Sequence, residues 1–232
     1  MNNSSYEPIA NEYYDSRHIT SRNFDIATLD FCSRFDFCIP PNGFVLELGA
    51  GKGFTGKYCK VEDSRVIQID VSKTMLLINP RQVCLQPIIC DALRLPFVSS
   101  KISTVTAFLY DPYNRPELYE EVNRVLGDEG IFIGTLPNFK WGTTLRRILG
   151  YDRNKTKFLT KNEYLVEVDS FLMSDVEIEQ ATKRVGLNLL QMYDLCLPSY
   201  VREVSEHILI PAHALGLSEY TLPIVKLIIA KK

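Results

Sequence analysis

Apolar residues fall along this chain in two regimes. In the first, short apolar runs recur between turn residues: GFVLELGA at 43–50, SRVIQID at 64–70, QVCLQPIIC at 82–90, ISTVTAFLY at 102–110 and GIFIGTLP at 130–137. Nearly continuous apolarity of this length, rich in β-branched residues, predicts strands buried on both faces. Pro87 puts the third run at a sheet edge or an irregularity. Between the fourth and fifth runs, residues 116–127 have Pro near the start, acids in the first turn and Gly127 at the stop, with Leu118, Val122, Val125 and Leu126 on one face. These are helix signals, and strands alternating with helices predict βαβ units and a parallel sheet.

The second regime begins after residue 138. Residues 174–186 read as a helix capped by Ser174 and stopped by Gly186, and 187–199 as a long strand. Residues 200–217 read as a helix interrupted by Pro211, and 221–232 as a closing strand. The two late strands have no obvious crossover helix between them, which predicts an antiparallel pair. No internal repeat or low-complexity linker is visible.

Composition narrows this picture. With 232 residues, 46% hydrophobic and 23% charged, the chain suits a single domain over 1–232. A net charge of -2 provides no global cationic field for nucleic acid. The apolar run at 222–230 is too short to span a bilayer, and residues 1–18 hold no apolar core of the secretory kind. A cytoplasmic location is therefore expected, with no membrane partner. Cys32, Cys38, Cys59, Cys84, Cys90 and Cys196 form no Cys-x-x-Cys, and His18, His207 and His213 are not spaced with them as zinc ligands. Buried free thiols and no metal are expected.

The candidate chemistry starts at VLELGAGKGFTG, residues 45–56, which reads in two frames. Gly51, Gly53 and Gly56 satisfy the G-x-G-x-x-G dinucleotide fingerprint. Alternatively, Glu47 near the strand end is followed by Gly49, Gly51 and Gly53 at alternate positions. In that frame no phosphate is required, and the glycines let the chain turn beneath an adenosyl group. Asp70, at the end of the second strand, suits two ribose hydroxyls in either frame. Asp91, after the third strand, suits an adenine amino group, the alternative being an N-cap or turn acid.

These residues carry a resemblance. VLELGAGKG, VIQIDVSKTML, CDALRLPF, ISTVTAFLYDPY and YEEVNRVLGDEGIFIGTLPN resemble, in order, five motifs of class I S-adenosylmethionine-dependent methyltransferases of the small-molecule "methyltransferase domain" type. YEPIANEYYDSR is similar to the helix that closes over the cofactor in these enzymes. The resemblance implies an α/β, Rossmann-like, doubly wound seven-stranded sheet of order 3-2-1-4-5-7-6 with strand 7 antiparallel. To this the chain adds an N-terminal helical lid at 1–40 and a helical cap inserted at 138–173. The cofactor implied is S-adenosyl-L-methionine. Glu47 would meet its amino group directly or through water, while Gly49, Ala50, Gly51 and Gly53 would lie beneath its methionine and ribose. Asp70 would hold the ribose, Val71 and Met75 would flank the adenine, and Asp91, with the Ala92 backbone, would bond the adenine amino group. Tyr13 and Tyr14 would cover the sulfonium. The reaction implied is in-line methyl transfer, for which the protein supplies mainly alignment and exclusion of water, so no catalytic residue is named.

On the substrate side, Tyr110 and Asp111 stand in YDPY, similar to the D-P-P-Y of amino-group methyltransferases except that Tyr113 replaces the second proline. His18, His207 and His213 are candidate bases, His18 first. Lys140, Arg146, Arg147, Arg153, Lys155 and Lys157 face the single acid Asp152 in residues 138–158. They read either as a cap admitting an anionic substrate or as a solvated amphipathic helix. A small-molecule acceptor is expected, and residues 200–217 are apolar enough to roof a pocket or form a homodimer contact. The competing functions are a nucleic-acid or protein methyltransferase using the basic segment, an NAD-dependent oxidoreductase, and a non-catalytic cofactor-binding protein.

Overall fold

The computed structural model describes residues 6–78 and 85–232. Cys84 and the start of the third apolar run lie outside the described residues. Helix α1 (Ile19–Arg34) precedes β1 (Val45–Leu48), α2 (Thr55–Cys59), β2 (Val66–Asp70), α3 (Lys73–Leu77), β3 (Leu85–Ile89) and β4 (Ile102–Phe108). Then come α4 (Pro116–Val125), β5 (Leu126–Pro137), α5 (Phe139–Leu149), β6 (Lys155–Leu159) and β7 (Leu165–Asp169). The chain closes with α6 (Asp175–Arg184), β8 (Asn188–Leu195), α7 (Glu206–Ala214) and β9 (Val225–Lys231).

The main sheet has seven strands in the order β3-β2-β1-β4-β5-β9-β8. With the separate β6–β7 hairpin left out of the count, this is the expected 3-2-1-4-5-7-6. β9 runs antiparallel to both β5 and β8, whereas β1 pairs in parallel with β2 and β4. The apolar runs are continuous because consecutive residues serve opposite faces. Phe132, Ile228 and Ala230 enter the core shared with α4 and α6, whereas Ile133, Leu227 and Ile229 enter the one shared with α1, α5 and α7. Pro87 sits in the edge strand, where its missing N–H is least costly, and the β2–β3 register shifts beside it.

Several elements differ from expectation. Gly127 does not stop α4; the helix passes directly into β5, which bulges between Leu126 and Ile131 with Glu129 left-handed at φ 66°. Residues 200–205 are not helical, because Asn23 of α1 takes their backbone groups: its amide donates to the Glu203 carbonyl (3.0 Å) and accepts from Ser205 N (2.9 Å). Ser205 then caps α7, whose interior accommodates Pro211. The N-terminal segment is helical only from Ile19; before it lie turns and a short 3-10 stretch, Glu7–Ile9. The cap is not wholly helical, since the antiparallel β6–β7 hairpin follows α5. Cys32 is buried, but Cys38 is exposed, so the thiols are not uniformly interior.

Candidate active site

The loop after β1 is shaped by three left-handed glycines, Gly49 (φ 59°), Gly51 (φ 46°) and Gly53 (φ 77°). A β-carbon on Gly49 would lie 2.2 Å from the Tyr113 hydroxyl, and one on Gly51 would lie 2.1 Å from that of Tyr14. The loop is therefore a cradle that side chains approach closely, and only glycine fits it. Beneath it, Glu47 is 2% exposed. Its Oε1 accepts from Phe54 N (2.6 Å) and Thr55 N (2.9 Å), and its Oε2 accepts from Gln68 Nε2 (3.0 Å). Burial raises its pKa, against the pull of these bonds. Contrary to expectation, Glu47 does not line the cavity described below; it ties the glycine loop to β2. It also decides between the two loop frames. A dinucleotide's pyrophosphate requires free N–H groups at the start of the following helix, and here a carboxylate already holds those of Phe54 and Thr55.

Asp70, at the end of β2, accepts from Gly51 N at 3.0 Å through Oδ2 and from Ser72 N at 2.8 Å through Oδ1. Burial raises its pKa, while these N–H groups pull it down. Asp91 fixes its own turn by accepting from Leu93 N (2.9 Å). The Cys90 N to Asp70 carbonyl bond (3.0 Å) holds the ends of β2 and β3 together. Gly49, Gly51, Gly53, Asp70, Val71, Met75, Asp91, Tyr14 and His18 all line one cavity of about 530 Å³. Ala50 and Ala92 pack into the interior instead, which leaves only their backbones for a ligand.

The sequence pointed to a lid and a cap, but not to Phe158 or to the hairpin contact that joins the two into a roof. Phe158 of β6 meets Tyr6 (5.9 Å), Tyr13 (5.4 Å) and His18 (5.5 Å) between ring centroids, so the cap hairpin and the N-terminal segment close together. Lys161 N donates to Glu12 (2.6 Å), its ammonium pairs with Asp15 (3.4 Å), and Glu7 accepts from the Ser72 and Thr74 hydroxyls. The far wall holds Leu109 and Tyr58, whose ring meets those of Phe54 (5.2 Å) and Phe108 (4.8 Å), and Asp25 there pairs with Lys57 (2.6 Å) and accepts from the Tyr58 hydroxyl (2.5 Å). A bare charge pair on two helices carries no sequence signal; it forms only because α1 packs on α2.

Tyr110 and Asp111 do not face the cavity. Tyr110 is fully buried, its hydroxyl 3.0 Å from that of Tyr119, and the lining positions in this stretch are Pro112 and Tyr113. Asp111 accepts from the Ser170 hydroxyl, which accepts from Arg146 Nη2 at 2.6 Å. This network docks the cap on the loop after β4. His207 gives its carbonyl to Trp141 Nε1 (2.8 Å), and His213 is exposed on α7. His18 lines the cavity, its pKa lowered by burial.

Burial pushes the Asp111 carboxyl from an ordinary 3.8 up to about 6, opposed by the Ser170 hydrogen bond and the Arg146 charge. Between those values the folded chain binds this proton more tightly than the unfolded chain does. Stability therefore falls as pH rises through the window and levels off above it. Relative to Asp111→Asn, the unaltered protein should lose up to about 3 kcal/mol of unfolding free energy between about pH 4 and pH 7. Urea titrations at each pH measure the difference, and a flat difference curve would refute the assignment.

Comparison with known proteins agrees with this arrangement. Residues 45–130, spanning the glycine loop, Asp70 and Asp91, match the family described as "Methyltransferase domain". An uncharacterized protein of Methanocaldococcus jannaschii is 27% identical over 170 residues, which cover 67% of this chain. The match spans 65% of that relative's length. A chain of the complex between the Haloferax volcanii Trm112 methyltransferase activator and a methyltransferase superimposes with a TM-score of 0.71 at 14% identity, covering 99% of this chain and 98% of that one. An S-adenosylmethionine-dependent methyltransferase structure from Listeria monocytogenes gives 0.64 at 15% identity, covering 89% and 98%. The geranyl diphosphate C-methyltransferase of Streptomyces coelicolor, solved with S-adenosyl-L-homocysteine, gives 0.59 at 15%, covering 99% and 85%. The fold is that of class I S-adenosylmethionine-dependent methyltransferases. Residues 45–130 are thus similar to a methyltransferase domain, and the cofactor that this likeness implies is S-adenosylmethionine. Among the described residues, no helix is long and apolar enough to cross a membrane, and no group of three or more His, Cys, Asp or Glu is placed to hold a metal ion.

Proposed function

We propose that this protein transfers the methyl group of S-adenosylmethionine to a small-molecule acceptor enclosed in the roofed cavity. The observation that carries the reading is a glycine cradle and two strand-end aspartates sharing one cavity with an aromatic far wall. The residues fit the cofactor. Asp70 has lone pairs left for ribose hydroxyls after two backbone bonds, and Asp91, Val71 and Met75, which line the same cavity, would meet the adenine. Bound S-adenosylmethionine supplies a methyl group made electrophilic by its sulfonium. The chain's part is to align the acceptor and exclude water, through Tyr6, Tyr13 and Phe158 above and Phe108 and Tyr58 beyond.

The cations of the basic segment point away from a nucleic-acid reading, because many are spent within the fold. Lys155 pairs with Asp169 (2.6 Å), Lys157 with Glu167 (3.2 Å), and Arg146 is 8% exposed inside the cap. The described part of the 1–40 segment and the 138–173 segment serve on this reading as the two halves of one roof. Titration calorimetry should find micromolar binding of S-adenosylhomocysteine and S-adenosylmethionine and none of NAD. Binding of NAD alone would overturn the proposal, and tight, salt-dependent binding of RNA would overturn the small-molecule acceptor.

A further inference from the structure

Three cations line the cavity on its α1–α2 side: Arg22, Lys52 and Lys57. Arg22 pairs with Glu203 (2.5 Å) and Lys57 with Asp25 (2.6 Å). Lys52 differs. Its ammonium lies over the ring of Tyr14, 4.2 Å from the centroid, and no carboxylate among the described residues forms an ion pair with it. Its backbone N–H donates to the hydroxyl of that same tyrosine (3.1 Å), so ring and ammonium are held together on the glycine loop. Lys52 immediately follows Gly51, whose N–H is bonded to Asp70. Lys52 lines the same cavity as Asp25 and Lys57, and burial lowers its pKa, with Asp25 opposing and Lys57 adding to the shift.

We propose that Lys52 binds the carboxylate of the cofactor's amino-acid tail, leaving the Tyr14 ring to do so. The assignment rests on the adenosyl-cofactor reading above. With the ribose at Asp70, whose carboxylate holds Gly51 N, the tail would lie along the glycine loop that carries Lys52, and it ends in an ammonium and a carboxylate. Asp25 and Lys57 already satisfy each other, which leaves Lys52 as the cation free to meet an anion at that end. A cation–π contact at a part-exposed site is weaker than a charge-assisted hydrogen bond to a carboxylate, so the ammonium exchanges one for the other. The Tyr14 face now holds the Lys52 ammonium, and the exchange would leave that face open to the sulfonium.

Calorimetry with two nucleosides tests this. S-adenosylhomocysteine carries the tail, whereas 5′-methylthioadenosine has the same adenosine and thioether without it. Lys52→Met is expected to weaken binding of S-adenosylhomocysteine on the order of tenfold, the worth of one charge-assisted hydrogen bond, and to leave methylthioadenosine unchanged. Lys52→Arg should recover most of the loss. An unchanged affinity for S-adenosylhomocysteine, or an equal loss for both nucleosides, overturns the assignment. Failure of the unaltered protein to bind either one overturns the adenosyl reading itself, and this assignment with it.

Discussion

Asp70→Ala is expected to lower the affinity for S-adenosylhomocysteine on the order of a hundredfold or more, because it removes an ionised acceptor for two ribose hydroxyls, each charge-assisted bond being worth about a factor of ten or more. The substitution also frees Gly51 N and Ser72 N, which the carboxylate now holds at 3.0 and 2.8 Å. Part of the loss therefore comes from a loosened cradle. Asp70→Asn separates the two contributions. It keeps one oxygen acceptor and the side-chain shape but gives up the charge, so an intermediate loss is expected. Calorimetric affinities for the two variants, taken beside their thermal midpoints, distinguish lost recognition from lost folding. Ribose-dependent binding that survives Asp70→Ala intact would remove the aspartate from the site.

Glu47→Ala is expected to lower the unfolding free energy by about 2–5 kcal/mol, since it strands buried donors that each cost about 1–3 kcal/mol when unpaired. Those donors are Phe54 N, Thr55 N and Gln68 Nε2. The burial that raises the Glu47 pKa offsets part of the loss, because the native carboxylate is itself held at a cost. Glu47→Gln should recover most of the stability. Its carbonyl can still accept from the loop, and Gln68 can turn its amide to present oxygen to the new NH2 group. Urea midpoints measure both variants. Equal damage from Ala and Gln would show that the bonds require a carboxylate, and no damage from Ala would show that they contribute little. Cofactor affinity should fall in Glu47→Ala through displacement of the loop, although Glu47 does not line the cavity.

The sequence alone determined the sheet, the glycine loop and the strand-end acids that line the cavity. Strand positions follow from apolar runs that serve two faces at once, and the runs need no knowledge of their neighbours to be seen. Gly49, Gly51 and Gly53 are legible because left-handed backbone selects glycine locally. Asp70 and Asp91 are legible because a parallel sheet sends the ends of neighbouring strands to one edge. Tertiary structure decided the rest. Glu47 and Asp111 are acids in loop-proximal motifs, and only packing reveals that one faces helix-start N–H groups and the other Ser170 and Arg146. The β6–β7 hairpin, Phe158 against Tyr13, and the Asp25–Lys57 pair join segments far apart in the chain. Contacts of that kind arise from how helices and loops are stacked, and a side chain's direction toward ligand, core or solvent is set by that stacking rather than by its neighbours in sequence.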